Sequence, residues 1–156
     1  MDNNIQEFIN EIKEDYFSWL KDTCLDDFPR VCDLSSDVLS SYLINKYPEE
    51  NVKFIRGRFD IWSHYWVEIN GKILDFTVIQ FLNKSDNLPK FDLSNSDYYQ
   101  KYFEKYLDSP FVSENLYSRY KKYEEVKCSY IDLTNKSIKF NNYLKKAQGK
   151  FFRRYL

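Results

Sequence analysis

Ser63-His64-Tyr65-Trp66-Val67-Glu68-Ile69-Asn70-Gly71-Lys72-Ile73-Leu74-Asp75-Phe76-Thr77 is the stretch whose reading decides the fold. Asn-Gly between two apolar runs is the strongest short-range hairpin signal, because both residues tolerate the positive φ of a two-residue type I′ turn. With Asn70 and Gly71 as the turn, Ile69 faces Lys72, Trp66 faces Asp75, and His64 faces Thr77. Strand side chains alternate faces, so His64, Trp66, Asp75 and Thr77 lie on one side of the hairpin. His64 is the only histidine of the chain. It and Asp75 become diagonal cross-strand neighbours, within reach for a carboxylate to orient an imidazole. Such a pair calls for a nucleophile.

Cys32 supplies one. In Phe28-Pro29-Arg30-Val31-Cys32-Asp33-Leu34-Ser35-Ser36-Asp37-Val38-Leu39-Ser40-Ser41-Tyr42-Leu43, the residues Leu34, Val38, Leu39, Tyr42 and Leu43 recur at helical spacing. Pro29 just ahead and Asp33 in the first turn predict a helix start near Cys32. A thiol there lies at the positive end of the helix dipole, which favours the thiolate, and a neighbouring imidazolium favours it further. The unpaired N–H groups of a first turn are also placed to donate to an oxyanion. Taken singly, a strand histidine, a buried cysteine and an aspartate after a strand are ordinary structural residues. Their joint placement, in the chain order Cys, His, Asp, points to nucleophilic catalysis.

The segments Phe28-Pro29-Arg30-Val31-Cys32, His64-Tyr65-Trp66-Val67-Glu68, Asp75-Phe76-Thr77 and Gln80-Phe81 together resemble the transglutaminase-like branch of the papain-like thiol enzymes. The resemblance runs over residues 28–81, and its order and His-x-Trp-x-Glu pattern are moderately specific. It implies an α+β core in which N-terminal helices, with the nucleophile at a helix start, pack on an antiparallel sheet carrying His and Asp. It implies Cys32 as nucleophile, His64 as general base and acid, and Asp75 as the group that orients His64. The chain departs from the family's pattern at Tyr65, where a small residue is common, and has no obvious upstream Gln to donate to the oxyanion. Trp66 and Gln80 are the remaining candidates to line the site, Trp66 as core or wall rather than a cofactor platform. The implied activity is that of a thiol-dependent amide hydrolase or acyl transferase: a cysteine protease, glutamine deamidase or transglutaminase acting on a protein or peptide.

Composition sets the frame for that reading. A chain of 156 residues is long enough for one domain with a core that needs no disulfide or metal. Three cysteines without paired spacing give no disulfide framework, and Cys24 and Cys128 read as structural thiols. One histidine and no C-x-x-C predict no zinc site, and no cofactor is expected. The acidic, polar start Met1-Asp2-Asn3-Asn4 predicts no export signal, and no apolar run approaches the ~20 residues that span a bilayer. A cytoplasmic, reducing location is therefore expected, with no membrane partner.

Ile5, Phe8, Ile9, Ile12, Tyr16, Phe17 and Leu20 recur three or four apart and predict an amphipathic first helix. Val52 to Phe59 reads as a strand leading into the His64 hairpin, and Leu82 to Ser96, with Pro89, as a loop. The core is thus placed at about residues 5–81 and a helical, basic extension at about 97–156. Within the extension, helices are predicted over Tyr98 to Leu107, Glu114 to Glu125 and Ser137 to Gln148, and a strand over Val126 to Leu133. From Lys121 onward there are ten Lys or Arg against three Asp or Glu, interleaved with aromatics near the end. A basic tail of that kind could bind nucleic acid or an acidic partner, and a non-catalytic binding module of the same fold is the other alternative. No nucleic-acid motif accompanies the tail, so nucleic acid is not the expected partner.

Overall fold

Asn70 and Gly71 take φ of 53° and 81°, the paired positive values that a type I′ turn requires. They join β2 (Trp62–Ile69) to β3 (Lys72–Leu74). The register is the one the turn dictates, with Ile69 opposite Lys72 and Val67 opposite Leu74. Asn70 is also clamped from outside. Its backbone N–H donates to the Asn51 carbonyl at 3.0 Å, its Oδ1 accepts from the Asn51 N–H at 3.1 Å, and its Nδ2 donates to Glu50.

The computed structural model of the chain describes residues 4–7, 9–10, 28–75, 77–78, 81, 107–108 and 111–128. Helix α1 (Phe28–Lys46) is followed by β1 (Val52–Phe59), β2 and β3. A short pair, β4 (Leu107–Asp108) and β5 (Phe111–Val112), comes next, then a 3-10 turn at Glu114–Arg119 and β6 (Tyr120–Val126). The main sheet is antiparallel in the order β3-β2-β1-β6. Helix and antiparallel sheet make this an α+β structure. No helix among the described residues is long and apolar enough to cross a membrane.

Both faces of the β1–β2 ribbon are buried. Val52, Phe54, Val67 and Ile69 fill one side, and Ile55, Phe59, His64 and Trp66 the other. Helix α1 packs against both strands, and from Ser36 to Leu43 every residue is buried. A helix enclosed on all sides must satisfy its polar side chains internally. Ser40 and Ser41 do so by donating to the carbonyls of Ser36 and Asp37, each at 2.7 Å. Val38, Leu39 and Leu43 are fully enclosed apolar residues, and burial of such a side chain stabilises by about 1.5–3 kcal/mol.

Three expectations need correction. Helix α1 begins at Phe28, a full turn before Cys32, so Cys32 lies in its second turn and Asp33 is not in the first. Proline has no N–H to lose in a first turn, so Pro29 starts the helix from inside rather than preceding it. The β2–β3 ladder ends at Val67 opposite Leu74, so the pairings of Trp66 with Asp75 and of His64 with Thr77 do not form. The helix expected at Glu114 to Glu125 is a 3-10 turn followed by strand β6, which ends at Val126 instead of beginning there. Its charged side chains are accommodated because β6 is mostly solvent-exposed and, among the described residues, pairs with β1 alone, where Arg56 Nε meets Glu124 Oε1 at 2.8 Å. Of the described part of the expected helical extension, β6 belongs to the main sheet, while β4 and β5 form a separate two-stranded pair.

Residues 4–7 and 9–10 are helical, with Ile5 and Ile9 buried as the first-helix pattern requires. The rest of that helix, the predicted loop at 82–96, and the tail from residue 129 onward lie outside the described residues, as does Cys24. So does the helix predicted over Tyr98 to Leu107, apart from Leu107, which opens β4.

Candidate active site

His64 projects from the middle of β2 into the buried side shared with Trp66 and Phe59, and none of its surface is exposed. Asp75 follows the last residue of β3, where the chain leaves the ladder, and is 3 % exposed. The hairpin brings them together: His64 Nε2 lies 2.6 Å from Asp75 Oδ2. That is the short contact of a charge-assisted hydrogen bond.

The Asp75 carboxylate is hydrogen-bonded through both oxygens. Oδ1 accepts from the Thr77 N–H and the Thr77 hydroxyl, both at 3.0 Å. This is the turn an aspartate makes with the residue two ahead, and it fixes the carboxylate's orientation. Oδ2 accepts from His64 and, at 2.8 Å, from the Tyr120 hydroxyl. Four donors converge on its two oxygens and fix the carboxylate in place.

Burial is the largest single influence on the His64 pKa and opposes its charge. The charge of Asp75, the hydrogen bond to Asp75, and then the hydrogen bonding and charge of Cys32 together outweigh it, and lift the pKa from 6.5 to about 10. His64 is thus an imidazolium at neutral pH, paired with Asp75.

Cys32 is buried, 2 % exposed, and reaches the ring from α1. With Nε2 held by Asp75, Nδ1 is the nitrogen left for it. Nδ1 has no partner in regular hydrogen-bond geometry among the described residues, while the thiol is close enough to act on the imidazole's proton affinity. Catalytic pairs without substrate commonly have long or poorly aligned hydrogen bonds. Because α1 starts a turn early, the amide of Cys32 falls where it pairs with the carbonyl four residues back. The expected oxyanion donors of a first turn therefore do not lie at Cys32.

Aromatic rings wall the site. Phe81 meets His64 edge-on at 4.6 Å between centroids and stacks on both Phe59 and Trp62. Trp66 lies 5.9 Å from the His64 ring and meets Tyr120 edge-on at 5.0 Å. Gln80 lies outside the described residues. Cys128 is a separate, structural thiol: it sits 3.2 Å from the Ser40 hydroxyl, and burial pushes its pKa up. No group of three or more His, Cys, Asp or Glu stands ready to hold a metal among the described residues.

Sequence reasoning missed three of these residues. Thr77 was placed on the right face without a role, though Asp75-Phe76-Thr77 is itself the signature of the turn it makes. Phe81 had only its position after Gln80. Tyr120 had no signal, since its segment was read as helix. A scan against protein-family models and searches of curated proteins and of solved structures find no match to this chain.

Proposed function

We propose that this protein is a cysteine-dependent acyl-transfer enzyme with a papain-like, transglutaminase-like core, acting on an amide of a protein or peptide. The observation that carries the reading is the fully buried His64 ring, held on Nε2 by Asp75 at 2.6 Å with the buried Cys32 thiol beside it. Cys32 as thiolate attacks the amide carbonyl and forms a carbon–sulfur bond. The carbon–nitrogen bond then breaks, the amine leaves with a proton from His64, and a thioester remains on Cys32. Neutral His64 next takes a proton from the incoming nucleophile, which displaces sulfur. Water as nucleophile gives a protease or deamidase, and an amine gives a transglutaminase; hydrolysis is favoured, water being the default acceptor. Asp75 keeps the imidazole oriented and its charge compensated throughout.

The experiment is iodoacetamide labelling against pH, read by peptide mass. Cys32 should label faster than Cys128, and His64→Ala should abolish that advantage. Cys32→Ser should lose at least about 10³-fold in turnover of any amide substrate found, with the fold intact. Labelling of Cys32 no faster than Cys128, with an ordinary thiol midpoint, would remove the enzyme reading. A non-catalytic member of the same fold would then take its place, a reading favoured by the near-complete burial of Cys32.

A further inference from the structure

From the shared contact on Asp75 Oδ2, we infer that Tyr120 is a positioning residue of the site: its hydroxyl divides the charge of Asp75 with His64 and so limits how tightly the imidazolium holds its proton. The inference rests on the acyl-transfer reading for its catalytic meaning, but its physical content is testable without a substrate.

Tyr120 opens β6, and its ring is fixed from two sides, edge-on to Phe59 at 5.0 Å and edge-on to Trp66 at 5.0 Å. The hydroxyl therefore has little freedom, and it is delivered to the same carboxylate oxygen that binds His64 Nε2. Two donors on one oxygen compete. Each draws on the negative charge that would otherwise fall on the other, so the His64–Asp75 bond is weaker than it would be alone. A general acid must give up its proton to the leaving amine, and a carboxylate left wholly to His64 would hold that proton back. Thr77, by contrast, sits on Oδ1 and orients the carboxylate without touching the oxygen that His64 uses.

The charged and titratable groups around this centre are few. Cys32 comes from α1, Asp75 from the turn after β3 and Tyr120 from β6. Tyr117 and Arg119 of the 3-10 turn act on Tyr120. The Tyr117 hydroxyl accepts from the Ile73 N–H at 3.1 Å, and Arg119 is committed to Asp60, with Nη2 2.6 Å from Oδ2. Neither competes for Asp75 in the described hydrogen bonds.

The sole histidine makes the test direct, because its resonances need no assignment among others. The full chain and Tyr120→Phe are compared by NMR of the His64 ring. Phe keeps the ring edges against Phe59 and Trp66 and removes only the hydroxyl. The expected result is a downfield move of the Nε2–H proton at neutral pH and an upward shift of the His64 titration midpoint by roughly half a unit or more. Tyr120→Leu, a second variant without the hydroxyl, should move both in the same direction, whereas Tyr117→Phe should leave them at the parent values. An unchanged proton resonance and midpoint in the Tyr120 variants would overturn the inference and leave Tyr120 as packing. The fate of the enzyme reading is separate: it falls with slow labelling of Cys32, whatever the His64 midpoint does.

Discussion

Asp75→Asn should invert the pH dependence of stability and cost about 10³–10⁴-fold in activity, the loss expected when a carboxylate that orients a catalytic imidazole becomes an amide. In the parent, His64 binds its proton more tightly folded, at about pH 10, than unfolded, at 6.5. That contribution to stability is fully present below about pH 6.5 and is lost as pH rises through 10. At 1.36 kcal/mol per unit it is on the order of 5 kcal/mol. With asparagine the charge of Asp75 is gone, and burial, the largest influence on His64, pushes its pKa below the unfolded value. The unfolded chain then binds the proton better, so stability falls on the acid side as pH drops through 6.5. Urea unfolding at pH 5, 7 and 9 separates the two profiles. The parent should weaken from pH 7 to 9, with Tyr120, whose pKa burial raises well above 10, adding only beyond that range. The variant should weaken from pH 7 to 5. Parallel profiles would mean that the proton on His64 is not held by Asp75.

Gly57→Ala is the second large effect, and its cause is steric. Gly57 lies opposite His64 on β2 and opposite Lys122 on β6, next to the point where the β1–β6 register slips. The slip leaves Tyr123 of β6 without a backbone pairing partner on β1, a β-bulge. A Cβ at residue 57 would stand 2.1 Å from the Lys121 carbonyl oxygen and 2.5 Å from the outer edge of the Trp66 ring. Backbone cannot rotate away as a side chain can, so β6 would have to lift or Trp66 to leave its place. Overpacking of this kind costs about 3 kcal/mol or more, equivalent to roughly 10 °C in Tm for a domain of this size. Trp66 and Tyr120 both touch the site, so the His64 resonance should move as well. A melting temperature within about 2 °C of the parent's would show that the sheet absorbs the methyl group, contrary to this account.

The hairpin was legible because its determinants are local. Asn70-Gly71 fixes a turn through positive φ, and a two-residue turn fixes the register as far as Val67 opposite Leu74, which delivers Asp75 to the end of the ladder beside His64. Strand β1 was legible for the same reason, its pattern being read within eight residues. The start of α1 was misplaced by a turn because proline is allowed both before and inside the first turn, and the sequence does not say which. Strand β6 was misread because its identity is non-local. Tyr120-Lys-Lys-Tyr-Glu-Glu-Val has charges at helical spacing and no apolar alternation, and only the edge of β1 makes it a strand. The loss of Tyr120 from the predicted site follows directly from that misreading.

The carboxylate of Asp75 gathers donors from very different distances along the chain: Thr77 two residues on, His64 eleven residues back, Tyr120 forty-five residues on. The first two come with a hairpin that closes on itself. The last arrives only when β6 has docked on β1, a contact between residues far apart in sequence and so costly in chain entropy. Folding therefore completes this site in stages, local geometry first and the sharing of charge last. The site's proton affinity is in effect a readout of whether β6 is in place: a chain without β6 docked on β1 would carry the His64–Asp75 pair in an untempered form.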